Sequence, residues 1–189
     1  DADPEHRKYH GHGGEWRVEH QRLKWKVLED FATACVEAGI PRTRDFNRGD
    51  NEGVDYFEVN QRSGWRWNTS KAFLRNAEKR SNLTLWHSTH VLGLETENAG
   101  SGPRCVGVRV ERSGGDDVIA RAKREVILSA GAIGSPQLLQ LSGIGPADLL
   151  KEHGIDVVAD LPGVGENLQD HLQIRSVYKV KGVTTLNTM

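Results

Sequence analysis

The stretch Val126-Ile127-Leu128 constrains this chain more than any other. Three consecutive apolar residues predict a strand over Glu125–Ser129 that is buried on both faces of a layered α/β sheet, because a half-exposed strand would alternate. Ala130-Gly131-Ala132-Ile133-Gly134 follows, and Ser135-Pro136 then opens a helix. Serine is a favoured N-cap, and proline suits the first helical position because its missing N–H has no intrahelical partner there. Leu138, Leu139 and Leu141 are expected to face inward, and Gly143 to end the helix. This strand, small-residue turn and helix start has two readings. Small side chains let a ligand approach the backbone, and the free N–H groups and positive dipole end suit a nucleotide or flavin edge. The same residues also suit plain β–α packing, where glycine and alanine only permit close contact.

Other elements flank this unit. Leu28, Phe31, Ala32, Cys35 and Val36 recur at helical spacing and predict a helix over roughly Leu23–Ala38, closed by a left-handed Gly39 and by Pro41. Tyr56, Phe57 and Val59 suggest a strand, and Thr69 or Ser70 is placed to cap a short helix through Ala77. Leu83–His87 and Val91–Glu95 are strand candidates. Cys105–Glu111, the turn Ser113–Asp116 and Val118–Ala122 form a hairpin signal. A second helix is expected over Pro146–His153, ending at Gly154, with a strand over Ile155–Val158. The fold class is α/β, with α+β mixed character.

Bulk properties exclude several functions. The formal net charge of −1 provides no field for nucleic acid or anionic lipid. No apolar run approaches the roughly 20 residues of a membrane-spanning helix. Cys35 and Cys105 form neither a disulfide framework nor a metal-ligand spacing, which fits a reducing compartment and a cytoplasmic location. His6, His10, His12 and His20 lie in a glycine-rich stretch with no zinc spacing, so no metal site is expected. Trp65, Arg66 and Trp67 read as packing and surface cover rather than base stacking. Asp170-His171 resembles an acid/base pair, but neighbours on a strand point to opposite faces. For His171, a structural hydrogen bond and a substrate-facing role both stay open. The chain opens Asp1-Ala2-Asp3-Pro4, without an initiator Met or apolar leader, and is expected to be an internal piece of a longer protein.

Gly131-Ala132-Ile133-Gly134-Ser135-Pro136-Gln137-Leu138-Leu139-Gln140-Leu141-Ser142-Gly143-Ile144-Gly145-Pro146 resembles the second signature of the glucose–methanol–choline (GMC) oxidoreductases. Asp160-Leu161-Pro162-Gly163-Val164-Gly165-Glu166-Asn167-Leu168-Gln169-Asp170-His171 extends the resemblance. Asp45-Phe46-Asn47, Gly53-Val54, Val59-Asn60-Gln61 and Asn82-Leu83-Thr84-Leu85 support it upstream.

The resemblance implies an FAD-binding dinucleotide fold with a β-meander, interleaved with a substrate domain. On that pattern residues 1–66 are a substrate-domain piece, 67–154 an FAD-domain piece, and 155–189 a return to the substrate domain. The implied activity is oxidation of an alcohol CH–OH group, with hydride passing to FAD and an aldehyde or ketone leaving. Val91 would meet the adenine through its backbone, Ala130 and Gly131 would lie beside the adenosine, and Ser135 would join the cofactor side. Asn167, His171 and Gln173 would face the substrate. Family members that oxidise choline carry Glu at the position of Gln173; the neutral amide and nearby Arg175 either favour neutral primary alcohols, aliphatic or aromatic, or leave Gln173 to pair with backbone at the domain seam.

Two family features are not found. The pairs Gly11/Gly13, Gly143/Gly145 and Gly163/Gly165 are followed at the last fingerprint position by Trp16, Asp148 and Leu168, so no Gly-x-Gly-x-x-Gly seats a pyrophosphate. The family's catalytic His would lie beyond Met189, so no catalytic residue is assigned. The expected partners are an alcohol and the missing N- and C-terminal parts of its own chain. Two alternatives are a hydroxynitrile lyase-like relative that holds FAD without redox turnover, and a non-catalytic binding or structural piece.

Overall fold

The computed structural model describes residues 8–185 and Asn187, so the expectations that touch Asp1–Pro4, His6 and Met189 fall outside the described residues. The chain divides into two compact units, Asp1–Leu85 with Ser176–Met189, and Trp86–Arg175.

In the first unit, helix α1 runs Lys26–Glu37 and buries Ala32. Its end is a Schellman closure: the Gly39 N–H donates to Val36 O and the Ile40 N–H to Cys35 O, both at 3.0 Å, with Gly39 at φ +90°. This is the stop predicted from Gly39 and Pro41. The strand expected at Tyr56–Val59 does not form. Val59 makes one antiparallel bridge to Glu19, and Val54 one parallel bridge to Arg42. Single bridges satisfy those backbone groups without a ladder, while Phe57 stays exposed and tilts against Phe46. Strands β1 (Gln61–Arg62) and β2 (Trp65–Arg66) form a minimal hairpin. Its two loop residues, Ser63 and Gly64, both have positive φ, the type I′ geometry that matches strand twist. The expected Thr69/Ser70 cap is corrected. Thr69 is already helical, and Asn68 Oδ1 accepts the Lys71 N–H at 3.0 Å, ahead of a π-turn over Ser70–Leu74 and helix α2 over Arg75–Ala77.

The second unit begins with a three-stranded antiparallel meander of β3 (Thr89–Asn98), β4 (Pro103–Arg112) and β5 (Asp117–Arg121), in spatial order β3-β4-β5. The predicted hairpin is its second half. Gly107 is required here, because a Cβ would sit 2.6 Å from the Ala120 carbonyl oxygen. Helix α3 (Gly131–Leu141) leads into β6 (Ile144–Gly145), helix α4 (Ala147–Glu152) and β7 (Ala159–Asp160). β6 and β7 pair in parallel, and α4 supplies the crossover that parallel pairing demands. Leu150, 1% exposed, anchors that small β–α–β unit, and Asp160 Oδ1 accepts the Ala147 N–H at 3.0 Å.

Three further strand expectations are corrected. Glu125–Ser129 forms no ladder among the described residues, and Ile127 is 78% exposed. A strand buried on both faces needs neighbours on either side, whereas the meander strands pair among themselves. Leu83–His87 likewise forms no strand. The strand expected at Ile155–Val158 lies a few residues later, because the Ile155 and Val158 amides bond Leu150 O and Gly143 O. The mixed α/β class holds. Among the described residues, no helix is long and apolar enough to cross a membrane.

Candidate functional site

The start of α3 differs from the sequence expectation in its atoms. The helix begins at Gly131, ahead of Ser135, and places Pro136 inside it. Ser135 does not cap from the N-cap position; its Oγ accepts the Ala130 N–H at 3.1 Å. The N-cap residue is Ala130, which has no side chain able to cap, so the first helical amides carry no side-chain cap. Ala130, Gly131 and Ala132 are all exposed. Gly131 has φ +86°, and a Cβ added there would meet nothing within 4 Å. The glycines of this stretch differ in their surroundings. A Cβ on Gly143 would run into the Asp156 carbonyl, and one on Gly134 would lie 3.2 Å from Ala130 Cβ. Those glycines relieve packing within the chain. Gly131 instead supplies a left-handed backbone facing open space.

Val91 is half-buried in β3, opposite buried Val110. A register shift between Val91 and Gly93 leaves Leu92 as the extra residue of a β-bulge. Two residues further on, the Leu94 N–H donates to Ser142 Oγ at 2.8 Å, which joins β3 to the far end of α3. Thus Ala130 and Ser135 touch directly, and Val91 connects to the same helix through its C-terminal end.

The substrate-side candidates lie on a segment that forms neither helix nor ladder among the described residues. Asn167 has φ +57°, in the left-handed region that Asn tolerates better than most residues. The Asp170 carboxylate accepts its neighbour's backbone, His171 N–H to Oδ1 at 2.8 Å, so it is aimed at the main chain rather than the imidazole. His171 and Gln173 are both exposed. No strand geometry places Gln173 and Arg175 on one face.

In the first unit the structure gathers residues that spacing did not connect. His10 Nε2 lies 2.6 Å from Asp45 Oδ2, and one ligand atom each of His10, Asp45 and Glu58 falls within 4.8 Å of the others. His20 Nδ1 is 3.5 Å from Glu58 Oε1. A metal ion can span such a set, but all four side chains also make further interactions. Asp45 is buried and organises its own loop: Thr43 Oγ1 donates to its carbonyl, and its Oδ1 accepts the Asn47 N–H. Only the fold brings positions so distant in sequence together. The one available signal was Asp45-Phe46-Asn47 itself.

The profile of the GMC oxidoreductase family matches residues 14–173. The oxygen-dependent choline dehydrogenase of Brucella anthropi is 43% identical over 166 residues, covering 88% of this chain and 29% of that protein. Among solved structures, pyridoxine 4-oxidase from Mesorbium loti superposes with TM-score 0.74 at 31% identity, over 81% of this chain and 29% of its own. An FAD-dependent oxidoreductase from Chaetomium thermophilum superposes with TM-score 0.75 at 27% identity, over 85% and 29%. The chain therefore spans under a third of the length of these relatives.

Proposed function

The chain belongs to the GMC oxidoreductase family of FAD-dependent proteins, and on that premise we propose that it is part of an enzyme oxidising the CH–OH group of an alcohol to an aldehyde or ketone. The observation that carries the reading is Gly131: a left-handed glycine between two exposed alanines, at the uncapped start of an eleven-residue helix, facing open space. Those features fit one edge of FAD, because a backbone without side chains permits close approach and free amides favour electron-rich atoms. They do not include a pyrophosphate fingerprint.

FAD, when bound, supplies the hydride acceptor. Ala130 and Gly131, with the Val91 backbone, would hold its adenosine side, and Ser135, whose Oγ accepts the Ala130 N–H, would fix that rim. Asn167, His171 and Gln173 would orient the alcohol. We assign no catalytic residue within this chain. In this reading residues 67–154 serve the cofactor, and 1–66 and 155–189 serve the substrate.

The substrate class we favour is the neutral primary alcohol. The brucella relative is named for choline, but Gln173 brings no charge to balance a quaternary ammonium, and an unpaired buried cation is costly. Steady-state rates of the full-length enzyme on aliphatic and aromatic alcohols and on choline test this. The expected order puts at least one neutral alcohol above choline in kcat/KM. Choline above every neutral alcohol would refute the substrate assignment.

A further inference from the structure

Gln140 lies on the last turn of α3, half-buried, in a slot that two glycines leave open. A Cβ on Gly145 would come within 3.0 Å of Gln140 Cγ, and a Cβ on Gly165 within 2.8 Å of Gln140 Nε2. At the end of the slot, Gln140 Nε2 donates to the Val164 carbonyl at 3.0 Å. The loop it holds is a pair of tight turns, in which the Val164 N–H donates to Leu161 O and the Glu166 N–H to Gly163 O. Asn167 follows at once in its left-handed conformation, so the heading of the chain toward His171 and Gln173 is set where this loop ends. One helix therefore presents Gly131 at its start and fixes the route to the substrate-side candidates near its finish. An apolar side chain of similar length would fill the slot and donate nothing to Val164.

We propose that Gln140 is a positioning residue for the substrate-side segment: its amide, seated between Gly145 and Gly165, registers the Leu161–Glu166 loop against α3 and so sets the approach of Asn167, His171 and Gln173. The inference rests on the reading of those three residues as substrate-facing. Gln140→Met keeps side-chain length and removes the donor. Gln140→Glu keeps the shape and turns an acceptor toward the Val164 carbonyl. Both are made in the full-length, FAD-loaded enzyme and examined by hydrogen–deuterium exchange and steady-state kinetics.

In both variants, exchange over 161–175 should quicken about five- to tenfold, the scale of one lost hydrogen bond. Exchange in β3–β5 and flavin content should stay at wild-type levels, and the KM for alcohol should rise about tenfold with a smaller change in kcat. Unchanged exchange over 161–175 overturns the proposal. So does quickening spread across the meander, loss of flavin, or faster exchange with no change in KM. If alcohols fail to reduce the wild-type flavin, the functional reading falls by itself, and the exchange data still decide whether Gln140 holds the loop.

Discussion

Ser142 and Leu94 are joined side chain to backbone: the Leu94 N–H donates to Ser142 Oγ at 2.8 Å, while the same hydroxyl donates to the Leu138 carbonyl at 2.6 Å. One side chain thereby closes the end of α3 and satisfies an amide of β3, an edge strand of the meander. Gly93 makes room for it, since a Cβ there would lie 3.3 Å from Ser142 Oγ.

Ser142→Ala leaves the part-buried Leu94 amide without its acceptor. An unsatisfied buried donor costs about 1–3 kcal/mol. Chemical denaturation of the full-length protein should show a loss of that size, with the unfolding slope unchanged. A loss below about 0.5 kcal/mol, the usual size for a neutral surface change, would mean water replaces the hydroxyl and the junction is not structural.

Gly131 and Gly143 both have left-handed backbones but differ in surroundings, at φ +86° in open space and φ +80° against the Asp156 carbonyl. Valine at either position carries backbone strain of about 1–2 kcal/mol. At Gly143 it adds a backbone clash, so Gly143→Val should prevent folding. Gly131→Val should yield folded protein that has lost most of its flavin, read by absorbance after gel filtration. Full flavin occupancy in Gly131→Val would show that nothing approaches this turn closely.

The Tyr56 hydroxyl is enclosed, and among the described residues none meets it in hydrogen-bonding geometry. Burial first, and then the Glu29 carboxylate, push its pKa above the ordinary value of 10.0. The folded state therefore keeps this proton after the unfolded chain has released it. The contribution to stability is full below the unfolded pKa and is lost as pH rises toward the raised folded value. Stability should fall more steeply above pH 10 in wild type than in Tyr56→Phe, compared by denaturation at matched pH. Parallel curves would place the phenol in contact with water.

Local chemistry was legible in the sequence wherever one residue type sets a conformation. Gly39 and Pro41 marked the end of α1, and the stretch Cys105–Glu111 marked the hairpin that forms the second half of the meander. The long run from Gly131 to Pro146 marked the family, which the profile match supports. What was not legible depended on partners distant in the chain. Val126-Ile127-Leu128 carries the pattern of a buried strand, yet a pattern cannot supply neighbouring strands. The cap of α3 was misplaced for a related reason. Serine followed by proline satisfies the rule for a helix start, but the backbone at Gly131 turns into the helix earlier and leaves Ser135 to bond Ala130. His10, Asp45 and Glu58 meet only in the folded chain, and no spacing rule covers such separations.

The most direct test of the proposed activity is anaerobic mixing of the full-length, flavin-loaded enzyme with a series of primary alcohols, followed by absorbance. Bleaching of the yellow flavin band within a single turnover, with one aldehyde formed per flavin, is the predicted result. A flavin that stays oxidised in the presence of every alcohol, while the protein retains it through gel filtration, would contradict alcohol oxidation and leave FAD a structural role.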